Sequence, residues 1–387
     1  MGVNLLVLCV LVGVCLCWDN GLAVTPPMGW NSWNNYHCHI SEDLMLETAR
    51  ALNTTGLVDA GYEYLVLDDC WQAETRTPDG SLQSDPERFP HGLLWLSEQV
   101  AEYGLKLGAY TDYGTQTCQE RPGSLGHYAE DAQFFADNNI QYLKVDTCHT
   151  QDLDPRVQYP LFQQALIDTG APILFSMCNW GLHDPWEWAQ DVANMWRIGF
   201  DIQAWWFSID RVIGTMRTLG PYSEPSAWND PDMLEVGVAD LSEAEMRTHF
   251  SLWCLYSAPL ILGLNVTEAA ESPFTLDLLT NQDLLDIDRD PLGIGADVVV
   301  DDIVEGGFEV WMKPMQDGYA FGLFARTQHP GEAAKPGHTV YVHADLLGLA
   351  GLDTPSATVL DVFAGTTFTV YQGQEVGMIL EEHDTWV

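Results

Sequence analysis

Lys144 and Asp146 stand two positions apart in the mostly apolar segment "QYLKVDTCH", residues 141–149. Tyr142, Leu143 and Val145 make the segment a strand, and in a strand residues i and i+2 face the same way. An ammonium and a carboxylate therefore share one side of a strand end. The habit recurs along the chain. Asp68 and Asp69 end "YEYLVLDD" (62–69), Tyr110 and Asp112 end "LKLGAYTD" (105–112), and Cys178, Asn179 and Trp180 end "PILFSMCNW" (172–180). Arg197 and Asp201 lie in "MWRIGFD" (195–201), and Asp230 and Asp232 in "WNDPDML" (228–234). Several carboxylates with a lysine, an arginine and tryptophans suit glycoside hydrolysis, in which two carboxylates flank an oxocarbenium-like centre. Metal chemistry fits less well. No acids fall at calcium-loop spacing, and His37, His39 and His149 form only an "HCH" pair without a third ligand. No metal and no cofactor are expected.

For those residues to act together, their strand ends must meet on one face. The apolar runs above, with 142–146, 259–265 ("PLILGLN") and a run near 28–33 ("MGWNSW"), make about eight strands. Amphipathic stretches such as "GLLWLSEQVAEYG" and "AEDAQFFADNN" separate them, the alternation of an α/β fold with a parallel sheet. About eight such units predict a (β/α)8 TIM barrel, whose active site lies at the C-terminal ends of its strands. From about residue 297 the pattern changes to two-residue alternation between turns, predicting a C-terminal antiparallel β domain over 297–387 and a catalytic barrel over 18–296. The N-terminus "MGVNLLVLCVLVGVCLCW" has the length of a secretory signal (1–17) and is short for a membrane span. Secretion, or delivery to a lysosome or vacuole, is expected, with no membrane attachment after cleavage. Asn53 in "NTT" and Asn265 in "NVT" are glycosylation sequons.

Composition narrows the partners. Fifteen basic against 56 acidic residues give a net charge of −41, a field that repels nucleic acid and anionic lipid. Six cysteines follow the leader. Those in loop-like sequence (Cys38, Cys70, Cys118, Cys148) should pair in a secreted enzyme, whereas Cys254, in the apolar helical stretch "SLWCLYSAPL", reads as a free core thiol.

"PPMGWNSWNNYHC", "GYEYLVLDDCW", "DPERFPHGL", "GLKLGAYTDYG", "YLKVDTC", "MCNWG" and "WNDPDMLEVG" together resemble the melibiase family, glycoside hydrolase family 27, from about residue 24 to the C-terminus. That family holds α-galactosidases and α-N-acetylgalactosaminidases, and the resemblance implies a TIM barrel followed by an antiparallel β-sandwich domain. It implies a retaining hydrolase of terminal α-D-galactosyl residues in oligosaccharides, polysaccharides or glycoconjugates, working as a monomer or homodimer. Asp146 would be the nucleophile, with Lys144 reaching a sugar hydroxyl and keeping the carboxylate ionised. Disulfides Cys38–Cys70 and Cys118–Cys148 are implied, with Cys178 a free thiol in the pocket wall. "WRIGFDI" makes Asp201 the acid/base and gives Arg197 a sugar hydroxyl to hold or the acid to orient. Phe200 departs from the small residue many relatives carry there, and should reshape the entrance. Trp30 would be the stacking platform, Asp68 and Asp69 would grip the 4- and 6-hydroxyls, and Tyr110 and Asp232 would complete the pocket. For Asp69 a purely local role at its turn stays open. Cys178, Asn179 and Trp180 would make a wall near the 2-hydroxyl too bulky for an acetamido group. The anionic Asp146 is expected to raise the pKa of Asp201. "IDRD" (287–290), where the family reads INQD, should affect packing. The rival readings are a family relative acting on β-L-arabinopyranosides or α-N-acetylgalactosaminides, and a non-catalytic sugar-binding barrel.

Overall fold

The computed structural model describes residues 20–238, 241–326 and 339–387, so the leader expected at 1–17 lies outside the described residues. Eight strands among these form one parallel sheet: β1 (Met28–Asn31), β2 (Tyr64–Val66), β3 (Lys106–Asp112), β4 (Tyr142–Asp146), β5 (Leu174–Met177), β6 (Met195–Arg197), β7 (Trp228–Asp230) and β8 (Leu260–Leu262). Their order, β7-β6-β5-β4-β3-β2-β1-β8, follows the chain. The ring closes just past β7, where Leu234 N donates to Ile261 O at 2.7 Å and Gly263 N donates to Leu234 O at 3.1 Å. This is the expected TIM barrel. Most strands are shorter than the apolar runs that predict them. "YEYLVLDD", for example, contracts to Tyr64–Val66, because Asp68 and Asp69 already belong to the turn.

Alternation sorts the side chains. Tyr64, Val66, Tyr142, Leu174, Met195 and Trp228 form one apolar cluster within the ring. Residues of the opposite parity, such as Leu65, Leu143, Val145 and Phe175, join the larger cluster beneath the helices. Along β4 the inner series is thus Tyr142, Lys144, Asp146: an apolar plug below and charge above. The outer helices carry their own start signals. Ser41 Oγ accepts from Leu44 N at the head of Glu42–Thr54, and Ser242 and Glu245 make a reciprocal capping box on Glu243–Tyr256. The helices Gly92–Ala101 and Tyr128–Asp137 fall where amphipathic patterning placed them.

After the barrel come β9 (Asp297–Asp302), β10 (Phe308–Met315), β11 (Gly318–Phe324), β12 (Thr339–Ala344), β13 (Ser356–Asp361), β14 (Thr366–Tyr371), β15 (Val376–Glu381) and β16 (Thr385–Trp386). They pair antiparallel as a sheet β16-β11-β10-β9 and the pairs β12–β15 and β13–β14. Strand β9, "DVVVDD", has acids at both ends and depends on its ladder with β10. Phe308, Val310, Leu323, Val342, Leu380 and Trp386 form this domain's core. Ion pairs fasten it to the barrel, Arg326 Nε to Asp210 Oδ1 at 2.9 Å and Arg247 Nη2 to Asp384 Oδ2 at 2.8 Å. Two disulfides tie the loops above the strands, Cys38–Cys70 after β1 and β2 and Cys118–Cys148 after β3 and β4. Cys178 and Cys254 are free and buried.

Candidate active site

The register between β3 and β4 sets Tyr110 beside Lys144 and Asp112 beside Asp146. Register partners on parallel strands point to the same side, so all four side chains enter the barrel together. The Lys144 ammonium lies 5.2 Å over the Tyr110 ring and bonds Asp68 Oδ2 at 2.8 Å. That same oxygen accepts from Asn31 Nδ2 at 2.8 Å. Burial works against the Lys144 charge, but Asp68 and the other anionic groups around it, Asp146 among them, together outweigh burial and hold the ammonium well above its usual range. Tyr110 Oη donates to Asp146 Oδ2 at 3.1 Å, and Thr147 N donates to Asp146 Oδ1 at 2.8 Å.

Two carboxyl groups side by side cannot both ionise cheaply. Burial, then the Asp146 charge, pushes Asp112 up to about 9, although Cys148 N and Gly114 N both donate to it. Burial also raises Asp146, to about 6, with Lys144 pulling the other way. At neutral pH Asp112 therefore carries the proton and Asp146 the charge.

Across the barrel, one guanidinium nitrogen joins three acceptors. Arg197 Nη2 lies 2.6 Å from Asp232 Oδ2, 3.0 Å from Asp201 Oδ1 and 3.2 Å from Gly199 O. Its Nη1 points to Cys178 Sγ at 3.5 Å. Asp232, at φ +82°, also accepts from Ile202 N and Met233 N, which fixes the loop after β7 against the segment bearing Asp201. The expectation for Asp201 needs correcting. Burial does push its pKa up, but Arg197, then Lys144, outweigh it and hold the carboxyl below its ordinary value. Asp146 is the raised member of the two. The cause is position: Asp146 is enclosed in the barrel, whereas the Asp201 side chain is 54% exposed and bonded to arginine.

The remaining predicted residues divide. Trp30 is wholly buried, its register partners are Leu65 and Leu262, and its indole N–H donates to Leu264 O at 2.8 Å. It faces the helices and offers no stacking surface, which corrects the sequence expectation. Parity held the signal: Asn31 must point inward to reach Asp68, so Trp30 must point out. The tryptophan at the rim is the half-buried Trp33, whose backbone N–H donates to Asn31 Oδ1 at 2.8 Å. Asp69 gives both oxygens to backbone, Oδ1 to Cys70 N and Oδ2 to Gln119 N, so the turn role left open for it is present. Cys178 is buried against Arg197. Asn179 is buried as well; its Nδ2 closes the loop onto Leu182 O at 2.7 Å, and its Oδ1 has no hydrogen-bond partner among the described residues. Trp180 is half-buried beside Phe200. Sequence reasoning named Asp112 as a strand end but gave it no role, and it overlooked Asn31 and the buried Glu235. Burial, then Asp232, pushes Glu235 up to about 8. Ligand atoms of Asp112, Cys118, Asp146 and Cys148 lie within 4.8 Å of one another, but the two sulfurs form a disulfide and offer no thiolate.

This arrangement resembles known proteins. A family model described as alpha galactosidase A matches residues 25–290, and one described as the alpha galactosidase C-terminal beta sandwich domain matches 305–387. Alpha-galactosidase 2 of Arabidopsis thaliana is 43% identical over 298 residues, 77% of this chain and 74% of that protein. Among solved structures, alpha-galactosidase I of Mortierella vinacea superposes with a TM-score of 0.88 at 29% identity, covering 95% of this chain and 97% of that one. An alpha-galactosidase of Saccharomyces cerevisiae, solved with raffinose, superposes with a TM-score of 0.85 at 26% identity, again over 95% of this chain and 97% of that one.

Proposed function

The chain belongs to the melibiase family of α-galactosidases and is a galactosyl-hydrolysing glycosidase, and we propose that it works by double displacement with Asp146 as nucleophile and Asp201 as acid/base. One observation carries this. Asp146 is the charged member of a carboxyl pair inside the barrel, positioned by Tyr110 Oη and Thr147 N, and the more exposed Asp201 lies near enough for its charge to act on Asp146. In the first step Asp146 attacks the anomeric carbon, the bond to the leaving oxygen breaks, and Asp201 gives that oxygen its proton. In the second, Asp201 takes a proton from water, water attacks the same carbon, and the ester to Asp146 breaks.

Turnover needs one proton on Asp201 with Asp146 ionised, and the two acids titrate as a pair. In the resting site Arg197 holds the Asp201 carboxyl below its ordinary value, against that need. A sugar hydroxyl that engages Arg197 loosens its hold on Asp201, so binding moves the proton toward the acid that must donate it. Asp68 and Lys144 grip the 4- and 6-hydroxyls, and charge-assisted bonds of this kind discriminate an axial from an equatorial hydroxyl. Trp33 takes the stacking role. Cys178 and Trp180 close the space near the 2-hydroxyl, which supports galactose over its N-acetyl derivative. The substrate type is a neutral α-galactosyl-terminated oligosaccharide, as the raffinose bound to the yeast relative suggests. We place the enzyme in a secretory route, from the apolar leader and the sequons at Asn53, which is exposed, and Asn265, whose Oδ1 caps the helix Val266–Ala269.

Proton NMR of the earliest product tests the mechanism. Release of α-galactose before mutarotation is expected; β-galactose first would overturn the assignment of both acids.

A further inference from the structure

Large aromatic side chains left open to solvent in a group mark a contact surface. Phe200 is 55% exposed although it immediately precedes Asp201. Its ring centroid lies 6.3 Å from that of Trp180, with the planes inclined at 37°. The two come from different loops, and two features hold them together. Arg211 Nη2 donates to Phe200 O and to Asp201 O, each at 3.2 Å, clamping the backbone that carries both the ring and the acid. Gly181 sits at φ +75° and its N donates to Arg197 O at 3.2 Å; a Cβ there would lie 2.4 Å from Ile198 O. Only glycine lets the loop after β5 press this closely on the end of β6 and bring Trp180 beside Phe200. Farther along the segment, Trp205 and Phe207 form a second open pair, 54% and 38% exposed, with ring centroids 5.5 Å apart.

We propose that Trp180 and Phe200 form a binding wall for the leaving group of the substrate, selecting leaving groups that present a flat apolar face. An aromatic ring and the C–H face of a hexopyranose share that chemistry. The proposal rests on Asp201 being the acid/base. The leaving oxygen must come within hydrogen-bond reach of Asp201, so whatever it carries passes beside the neighbouring side chain. The net charge of −41 further favours uncharged leaving groups over sulfated or carboxylated ones.

The test compares kcat/KM of the wild type, Phe200→Ala and Phe200→Tyr on three substrates. These are methyl α-galactoside, benzyl α-galactoside and the disaccharide galactosyl-α-1,6-glucose. Methanol and benzyl alcohol are similar leaving groups, so their ratio reads contact rather than activation. In Phe200→Ala the benzyl-to-methyl ratio, the disaccharide-to-methyl ratio or both should fall about tenfold, and Phe200→Tyr should restore them. A fall in the benzyl arm alone assigns the wall to aryl groups, and a fall in the disaccharide arm alone assigns it to sugars. Unchanged ratios overturn the proposal, as does an equal loss on all three substrates, which marks damage to the acid. A wild type that hydrolyses none of the three while still binding galactose would instead overturn the double-displacement reading beneath it.

Discussion

At the barrel mouth, Lys144 and Arg197 sit among Asp68, Asp146, Asp201 and Asp232, each cation within 3.0 Å of at least one carboxylate. Between the barrel and the β domain, Lys313 of β10 is also buried among polar groups, but with a different set of partners. Its Nζ donates to Ser257 Oγ at 2.6 Å, to Cys254 O at 3.3 Å and to Ile287 O, while the nearby Asp288 has no hydrogen-bond partner on either oxygen among the described residues. In the sealed cluster burial decides: it drives Asp288 well above the carboxylate range and Lys313 down to about 8. In the open one, paired charges balance burial, and the acids keep protonation states that a ligand can rearrange. Buried charge by itself therefore does not identify a site in this molecule. Charge held in balance beneath an opening does.

Substituting the central acid should separate the two clusters most sharply. Asp146→Asn should lower kcat by on the order of 10⁴-fold, the scale for losing a covalent nucleophile. The variant should nonetheless be the more stable protein. Asp146 has a folded pKa of about 6 against an ordinary 3.8, so folding takes up a proton between those values and stability falls as pH rises through that window. Asparagine removes that decline, and urea midpoints at pH 7 should show a gain of about 3 kcal/mol. A destabilised, inactive variant would mean that Asp146 is structural.

Next in size is the loop bracing around the mouth. Cys118→Ser opens a cross-link spanning 30 residues and should cost about 3–4 kcal/mol by loop entropy. Because Cys148 N also holds Asp112, kcat should fall along with the melting temperature. Activity unchanged at a temperature where the variant is fully folded would show that the bridge only stabilises.

The smallest effect on activity belongs to the sealed cluster. Asp288→Asn should leave activity intact and raise stability at pH 7, because the buried acid has lost stability by then that an uncharged amide keeps. Its signature is in the pH dependence. A raised carboxyl pKa means that stability declines as pH rises above the ordinary carboxylate value, and the variant should lose that decline. The depressed Lys313 acts in the opposite direction: stability should rise as pH climbs from about 8 to 10.5, in the variant as in the wild type. Urea denaturation from pH 5 to 10 would show both.

Much of the mouth was legible in the sequence because strand parity is local. Lys144 and Asp146 must share a face, and the register with β3 then supplies Tyr110 and Asp112. The same rule, applied to β1, excludes Trp30 once Asn31 is seen to face inward, but Trp33 lies past the strand in a helical turn that parity does not reach. What sequence could not supply was the balance of charges. Whether Asp201 or Asp146 has the higher pKa depends on Arg197 bridging to Asp201 and Asp232, a contact between neighbouring strands and loops that spacing does not encode. The sealed cluster was harder still. "IDRD" marks a departure at Asp288, but its neighbour Lys313 lies 25 positions away on another domain. Strands β15 and β16 owe their conformation to pairing with β12 and β11 rather than to their own composition.

The claim on which the rest depends is that Asp146 becomes covalently bonded to the sugar. A fluorinated, activated α-galactosyl fluoride, which forms the glycosyl-enzyme quickly and releases it slowly, should arrest the enzyme with one sugar attached. Proteolysis and tandem mass spectrometry should then place the added mass on Asp146, within "YLKVDTC". Label on Asp201, on Asp112 or on any other residue, or rapid turnover of the wild type without a trapped adduct, would contradict the account.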